Sequence, residues 1–153
     1  MKKVLIIVMV LFISSTCFGM ELNKPQKKIL KHYPSWTKKQ KITYFTETSN
    51  YFSESCPQTI DKMSTLLTVE PFLEEPGLKY IIKFSVEKIV NSKEEWDDLF
   101  KDMRMNMQND LCSNPSYFFF RKLKDVFLVF DYYDKNSIFL KRLTFDLSTT
   151  CAE

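Results

Sequence analysis

Leu78-Lys79-Tyr80-Ile81-Ile82-Lys83-Phe84-Ser85-Val86-Glu87 is the stretch whose reading decides the fold. Leu78, Tyr80, Ile82, Phe84 and Val86 point one way in an extended chain; Lys79, Ile81, Lys83, Ser85 and Glu87 point the other. Period-two alternation with one mostly polar side predicts a strand over 78–89, in an antiparallel sheet covered on one face. Upstream, residues 61–71 read as its partner strand, with Met63, Thr65, Leu67 and Val69 sharing a face. Glu74-Glu75-Pro76-Gly77 joins the two, with Pro76 and Gly77 suited to the central positions of a type II turn.

Downstream the period changes. Trp96, Leu99, Phe100, Met103, Met107 and Leu111 recur at i, i+3, i+4 and i+7. That is the apolar stripe of a helix over 93–111, laid on the sheet. Ser92 and Glu95 form a capping box at its start, and Asn114-Pro115 ends the segment. Residues 125–133 and 137–147 read as a hairpin around Asp134-Lys135-Asn136, residue types that tolerate tight-turn angles. Phe139, Leu143, Phe145 and Leu147 share a face of its second strand, interrupted by Lys141. Asp131 interrupts the first strand, where Lys141 or Arg142 is placed to pair with it.

Toward the N-terminus, residues 25–33 form a short helix with Pro25 in its first turn and Pro34 as its breaker. Ser35 or Thr37 caps a second helix running to about Ser55, with Ile42, Tyr44, Phe45, Tyr51 and Phe52 along it. The order is α-β-β-α-β-β. The expected fold is a small α+β domain with helices on one face of a mostly antiparallel four-stranded sheet.

Met1–Gly19 reads as a cleaved secretory signal: Lys2 and Lys3, the apolar run Val4–Ile13, then a short polar stretch. The run is shorter than the roughly 20 apolar residues of a membrane span. Cleavage after Gly19 starts the mature chain at Met20. Lipidation at Cys17 is the rival, but a lipoprotein signal has a Leu-like residue three before its Cys and Gly or Ala just before it. Ser14 and Thr16 stand there. The expected location is the periplasm or exterior of a bacterium. Residues 20–55, a basic helical segment, and 56–153, the α+β core, form one domain.

Three cysteines follow the signal, Cys56, Cys112 and Cys151. An oxidising compartment and an odd count predict one bridge and one spare thiol. The helix over 93–111 returns to the end of the sheet where strand 78–89 began. The hairpin leaves from that end and comes back to it, so Cys112 and Cys151 meet there. Cys56 starts at the opposite end of the sheet, beyond the roughly 7 Å Cα separation that a bridge allows. Cys112–Cys151 is the expected disulfide, with Cys56 unpaired.

Catalytic vocabulary is sparse. Gly77 is the one glycine after the signal, too few for a phosphate-cradling loop. His32 is the one histidine, so sites built on two or three histidines cannot form, and nothing places it as a base beside Cys56. No metal site, cofactor or catalytic residue is assigned. Glu94/Glu95, Asp97/Asp98 and Asp131/Asp134 are the carboxylate pairs a small secreted hydrolase would need. The first two pairs also simply favour a helix N-terminus. Met103 and Met107 could line the cavity of an apolar-ligand carrier, or fill the core.

Two features point to partners instead. Tyr117, Phe118, Phe119 and Phe120 are consecutive, with Tyr132 and Tyr133 nearby. Four aromatics in a row cannot all face one core from a regular element. They are candidates for a partner surface, unless the segment folds over the far side of the helix and buries them. Lys24, Lys27, Lys28, Lys31, Lys38, Lys39 and Lys41 form an acid-free basic arm. It is either a solvated helix face or a contact for an anionic membrane surface or acidic partner, rather than for nucleic acid, which an exported protein seldom meets. The resulting expectation is a non-catalytic protein-binding module of inhibitor, immunity, secretion-accessory or assembly type, whose partner is another exported or envelope protein.

Overall fold

The structure, a computed structural model, describes residues 22–85 and 93–151. The signal with Cys17, the start at Met20, the Ser92 cap and the end of strand 78–89 lie outside the described residues.

Helix α1 (Lys24–His32) begins at Asn23, which exchanges capping-box bonds with Gln26. Pro34 ends it in a 3-10 turn over Tyr33–Ser35. Thr37, not Ser35, caps helix α2 (Lys38–Ser53) and trades bonds with Gln40. Phe45 on α2 is fully buried, while Tyr51 on its outer side is 70% exposed.

The sheet has five strands in the order β1 (Gln58–Thr59), β2 (Ser64–Pro71), β3 (Gly77–Phe84), β4 (Phe127–Tyr133), β5 (Phe139–Asp146). Neighbours are antiparallel except β3 and β4, which are parallel and joined through α3 (Lys93–Ser113). The four-stranded expectation is therefore corrected to a five-stranded mixed sheet. The strand it lacked, β1, spans two residues, too short to show any period. The parallel pair follows from the connection: a crossover helix that spans the sheet delivers the next strand in the same direction.

Four further departures have local causes. A bulge between Leu66 and Thr68 resets β2, so Ser64, Leu66 and Val69 face the core and Leu67 is exposed. Asp61 accepts from the Met63 amide and delays the start of β2 to Ser64. An irregularity opposite Tyr132 and Tyr133 turns Phe139 to solvent. Gly77 has no positive φ, so it does not occupy the third position of a type II turn. It opens β3 opposite Phe127, where a Cβ would stand 2.0 Å from the Phe127 carbonyl oxygen. Glycine is required there for backbone approach rather than for turning.

Leu78, Tyr80, Ile82 and Phe84 of β3 face one buried cluster, as the alternation implied. Phe45 of α2, Phe100, Met103, Met107 and Leu111 of α3, and Phe119 and Phe120 of α4 (Phe118–Lys122) enter the same cluster. Cross-strand rings stack within it: Tyr80 on Phe130 at 4.8 Å and Phe84 on Tyr132 at 5.6 Å between centroids. Trp96 and Phe100 of α3 continue the stack, Phe100 reaching Tyr132 at 5.5 Å. Such pairs contribute about 0.5–1.5 kcal/mol beyond their burial.

The sheet edges are partly closed. The Ser53 hydroxyl donates to the Val69 carbonyl and accepts from the Val69 amide, filling the outer edge of β2 where the two-residue β1 no longer reaches. On the other edge Arg104 of α3 donates to the Thr144 carbonyl of β5. The short helix α5 (Leu147–Thr150), capped by Asp146, follows β5. It brings Cys151 beside Cys112 at the end of α3; their sulfurs are bonded, with Cα atoms 5.3 Å apart.

Candidate functional site

Alternation leaves β4 with a second face. Leu128, Phe130 and Tyr132 go to the helices, and Phe127, Val129, Asp131 and Tyr133 go to the other side. Val129 is fully buried yet lies outside the main cluster. Register places Lys79–Val129–Thr144, Ile81–Asp131–Arg142 and Lys83–Tyr133–Phe139 in rows across β3, β4 and β5. Among the described residues, the helices send their apolar side chains to the opposite face. The β2–β3 turn curls over this one, with Phe72 against Phe127 at 6.3 Å.

The centre of this face is an ion pair. Arg142 donates to both carboxylate oxygens of Asp131, from Nε at 2.6 Å and from a terminal nitrogen at 2.7 Å. Direct cross-strand opposition selects Arg142 rather than Lys141, which lies on the other side and reaches Asp97 of α3 at 3.7 Å. The Asp131 side chain is 3% exposed and that of Arg142 is 41% exposed. The bonds to Asp131 hold the guanidinium proton more firmly than usual, helped by the nearby charge of Glu74. The pair is thus a rigid floor with one cationic edge open to solvent. Around it stand half-buried Ile81 and Tyr133, and Lys79, which bonds Glu70 at 2.7 Å. Lys83 donates to Ser137 at the hairpin tip. Phe139 packs edge-on against Tyr133 and is 51% exposed; Ile138 beside it is 61% exposed.

The aromatic segment is placed differently from the surface reading. Tyr117, Phe119, Phe120 and Tyr132 are buried. The chain turns through a 3-10 turn into α4, which distributes consecutive rings around a helix and presses two of them onto the sheet. Phe118 alone of the four is half-exposed, lying under Arg121 and Lys122. Tyr133 belongs to the open face. The structure thus separates these six residues instead of gathering them.

The basic arm also divides. Lys38 pairs with Glu75 at 3.0 Å. Lys41 pairs with Asp125 at 3.5 Å and lies over the Tyr33 ring. Lys24, Lys27, Lys28, Lys31 and Lys39 are exposed.

The carboxylate pairs picked out by sequence are placed apart from one another or spent locally among the described residues. Asp131 is committed to Arg142, and Asp134 caps its own turn by accepting from the Asn136 and Ile138 amides. Glu94 and Glu95 sit in the first turn of α3. Met103 and Met107 are packed in the core, where Met107 sulfur accepts from the Tyr132 hydroxyl. Cys56 keeps a free thiol that bonds the Phe52 carbonyl, and desolvation raises its pKa. A thiol so held is a poor nucleophile. No group of three His, Cys, Asp or Glu side chains among the described residues could hold a metal ion. No described helix is long and apolar enough to cross a membrane.

The sequence marks Asp131 but not the face around it. Ile81, an apolar residue on the wet side of β3, was the available signal.

No family model matches the chain, and no curated protein matches it. Two solved structures share its fold. One is the pilotin EpsS of the Vibrio vulnificus type 2 secretion system, at 6% identity and a TM-score of 0.57, covering 76% of this chain and 96% of that one. The other is a protein of Pseudomonas aeruginosa described as secreted, at 11% identity and a TM-score of 0.52, covering 86% and 100%. At these identities the likeness establishes a shared architecture: a small mixed α+β domain with a five-stranded sheet.

Proposed function

We propose that this chain is an exported, non-catalytic accessory protein that docks an envelope or secretion-apparatus protein on the helix-free face of its sheet. The observation that carries the reading is that face itself. Ile81, Tyr133 and Phe139 surround a fixed Asp131–Arg142 pair, giving apolar contact area with a preorganised cationic edge. Interface cores favour aromatic residues and arginine, and a guanidinium already oriented by a carboxylate loses little freedom on binding. The signal-like N-terminus and the fold shared with a secretion pilotin and a secreted protein support an extracytoplasmic role.

Site-specific photocrosslinking in the exporting cell tests this. A photoreactive residue at Ile81 or Phe139 is expected to trap an envelope protein, and one at Asp102, exposed on α3, is not. The reading fails if the face positions give no adduct, or if Asp102 gives the same one.

A further inference from the structure

Four of the lysines share one side of α1. Lys24, Lys27, Lys28 and Lys31 stand at i, i+3, i+4 and i+7, which a 3.6-residue turn places together. Leu22, Ile29, Leu30 and Tyr33 take the opposite side and pack on the core. The helix therefore turns its half-buried apolar side, Ile29 and Leu30, inward and offers its lysines outward. All four are exposed, and none pairs with an acid among the described residues. Lys24 and Lys27 occupy the first turn, which holds no acid. Cations at that end oppose the helix dipole, so the local preference of the helix does not explain them. A residue that breaks a local rule of its element points to a role outside the element.

We propose that this lysine face of α1 docks on anionic phospholipid headgroups and holds the protein at a membrane surface. The charges extend about 10 Å along the helix axis, matched to a flat array of phosphates. The stripe contains no arginine and no aromatic ring, the residues that anchor protein partners. Lysine is depleted at protein interfaces, whereas mobile, hydrated ammonium groups suit diffuse headgroup attraction. Because the apolar side is already committed to the core, the helix rests on the headgroups without inserting. This contact is independent of partner docking on the sheet.

Flotation of the exported chain with vesicles tests it. Binding is expected to vesicles of phosphatidylethanolamine with one quarter phosphatidylglycerol at about 0.05 M salt, and to be lost near 0.5 M as screening shortens. Each lysine removed should lower partitioning about five-fold, the equivalent of about 1 kcal/mol. The variant Lys24→Gln/Lys27→Gln/Lys28→Gln/Lys31→Gln should therefore lose more than about a hundred-fold, with an unchanged thermal midpoint. A control, Lys62→Gln/Lys101→Gln/Lys122→Gln/Lys124→Gln, changes net charge equally and should retain most binding. Equal binding to vesicles without phosphatidylglycerol, or equal losses in the two variants, overturns the proposal. So does an α1 variant that keeps its lipid binding while losing an envelope partner, which would assign the stripe to an acidic protein.

Discussion

The backbone of Phe127 passes so close to Gly77 that a Cβ on Gly77 would sit 2.0 Å from the Phe127 carbonyl oxygen and 2.8 Å from its carbonyl carbon. This is the first register pair of the parallel β3–β4 ladder, and the Phe127 amide donates to the neighbouring Pro76 carbonyl. The obstruction is main chain rather than a flexible side chain, so relief requires separating the strands. Gly77→Ala is expected to destabilise by about 3 kcal/mol or more, at the high end for a single substitution. Urea unfolding monitored by Trp36 and Trp96 fluorescence measures it; a change below about 1 kcal/mol contradicts the close approach.

Arg142→Ala leaves the Asp131 carboxylate, 3% exposed, without its partner. Loss of about 2 kcal/mol is expected, below the full cost of breaking a buried pair because Arg142 itself is 41% exposed. Asp131→Val/Arg142→Leu removes both charges and should recover most of that loss. A double-mutant cycle in denaturant reads the difference.

The two phenylalanines of α4 should behave oppositely. Phe120 packs against Phe45 and Phe119 in the core, and Phe120→Ala is expected to cost about 3–5 kcal/mol. Phe118 is half-exposed beneath two cations, and Phe118→Ala should cost about 1 kcal/mol. Thermal midpoints of the two variants distinguish a core helix from a recognition loop.

Replacing Cys112 and Cys151 together by serine opens a loop of sequence separation 39. The chain-entropy model gives a loss of about 4 kcal/mol. In the parent protein a thiol reagent should label Cys56, slowly at neutral pH and faster as pH rises through a thiol pKa that burial has moved up. Peptide mapping after labelling identifies the modified residue.

Burial raises the pKa of Tyr33, Tyr80, Tyr117 and Tyr132, so these phenols are held neutral in the folded chain. For an acid whose folded pKa lies above its unfolded value of about 10, the stability is complete below pH 10 and is lost as pH rises above it. Phenolate absorbance from these four should therefore be absent at pH 10, where an unfolded tyrosine is about half ionised. The buried set should appear together with loss of far-ultraviolet dichroism at higher pH.

Much of the architecture was legible because it rests on local periodicity. The β3 alternation, the α3 stripe, the cap narrowed to Ser35 or Thr37 and the Asp134 turn each depend on residues within one or two turns of one another. The bulges in β2 and β5 were not legible. Leu67 and Phe139 fit the apolar alternation of their strands and still point to solvent, because one extra residue reverses every side chain beyond it. The open face was only half visible: Asp131 stood out as a charge in an apolar strand with Lys141 or Arg142 to pair with it, but register alone selects Arg142 and brings Ile81 and Phe139 beside it.

The sequence by itself determined the class of the domain, the helix on one side of the sheet and which cysteines end at the same edge, since these follow from period, order and segment length. Tertiary structure decided the parallel β3–β4 pairing, the role of Gly77, the burial of Tyr117, Phe119 and Phe120, and the pairing of Asp131 with Arg142. Each of those depends on which backbone lies beside which, and that is fixed only when the whole core closes.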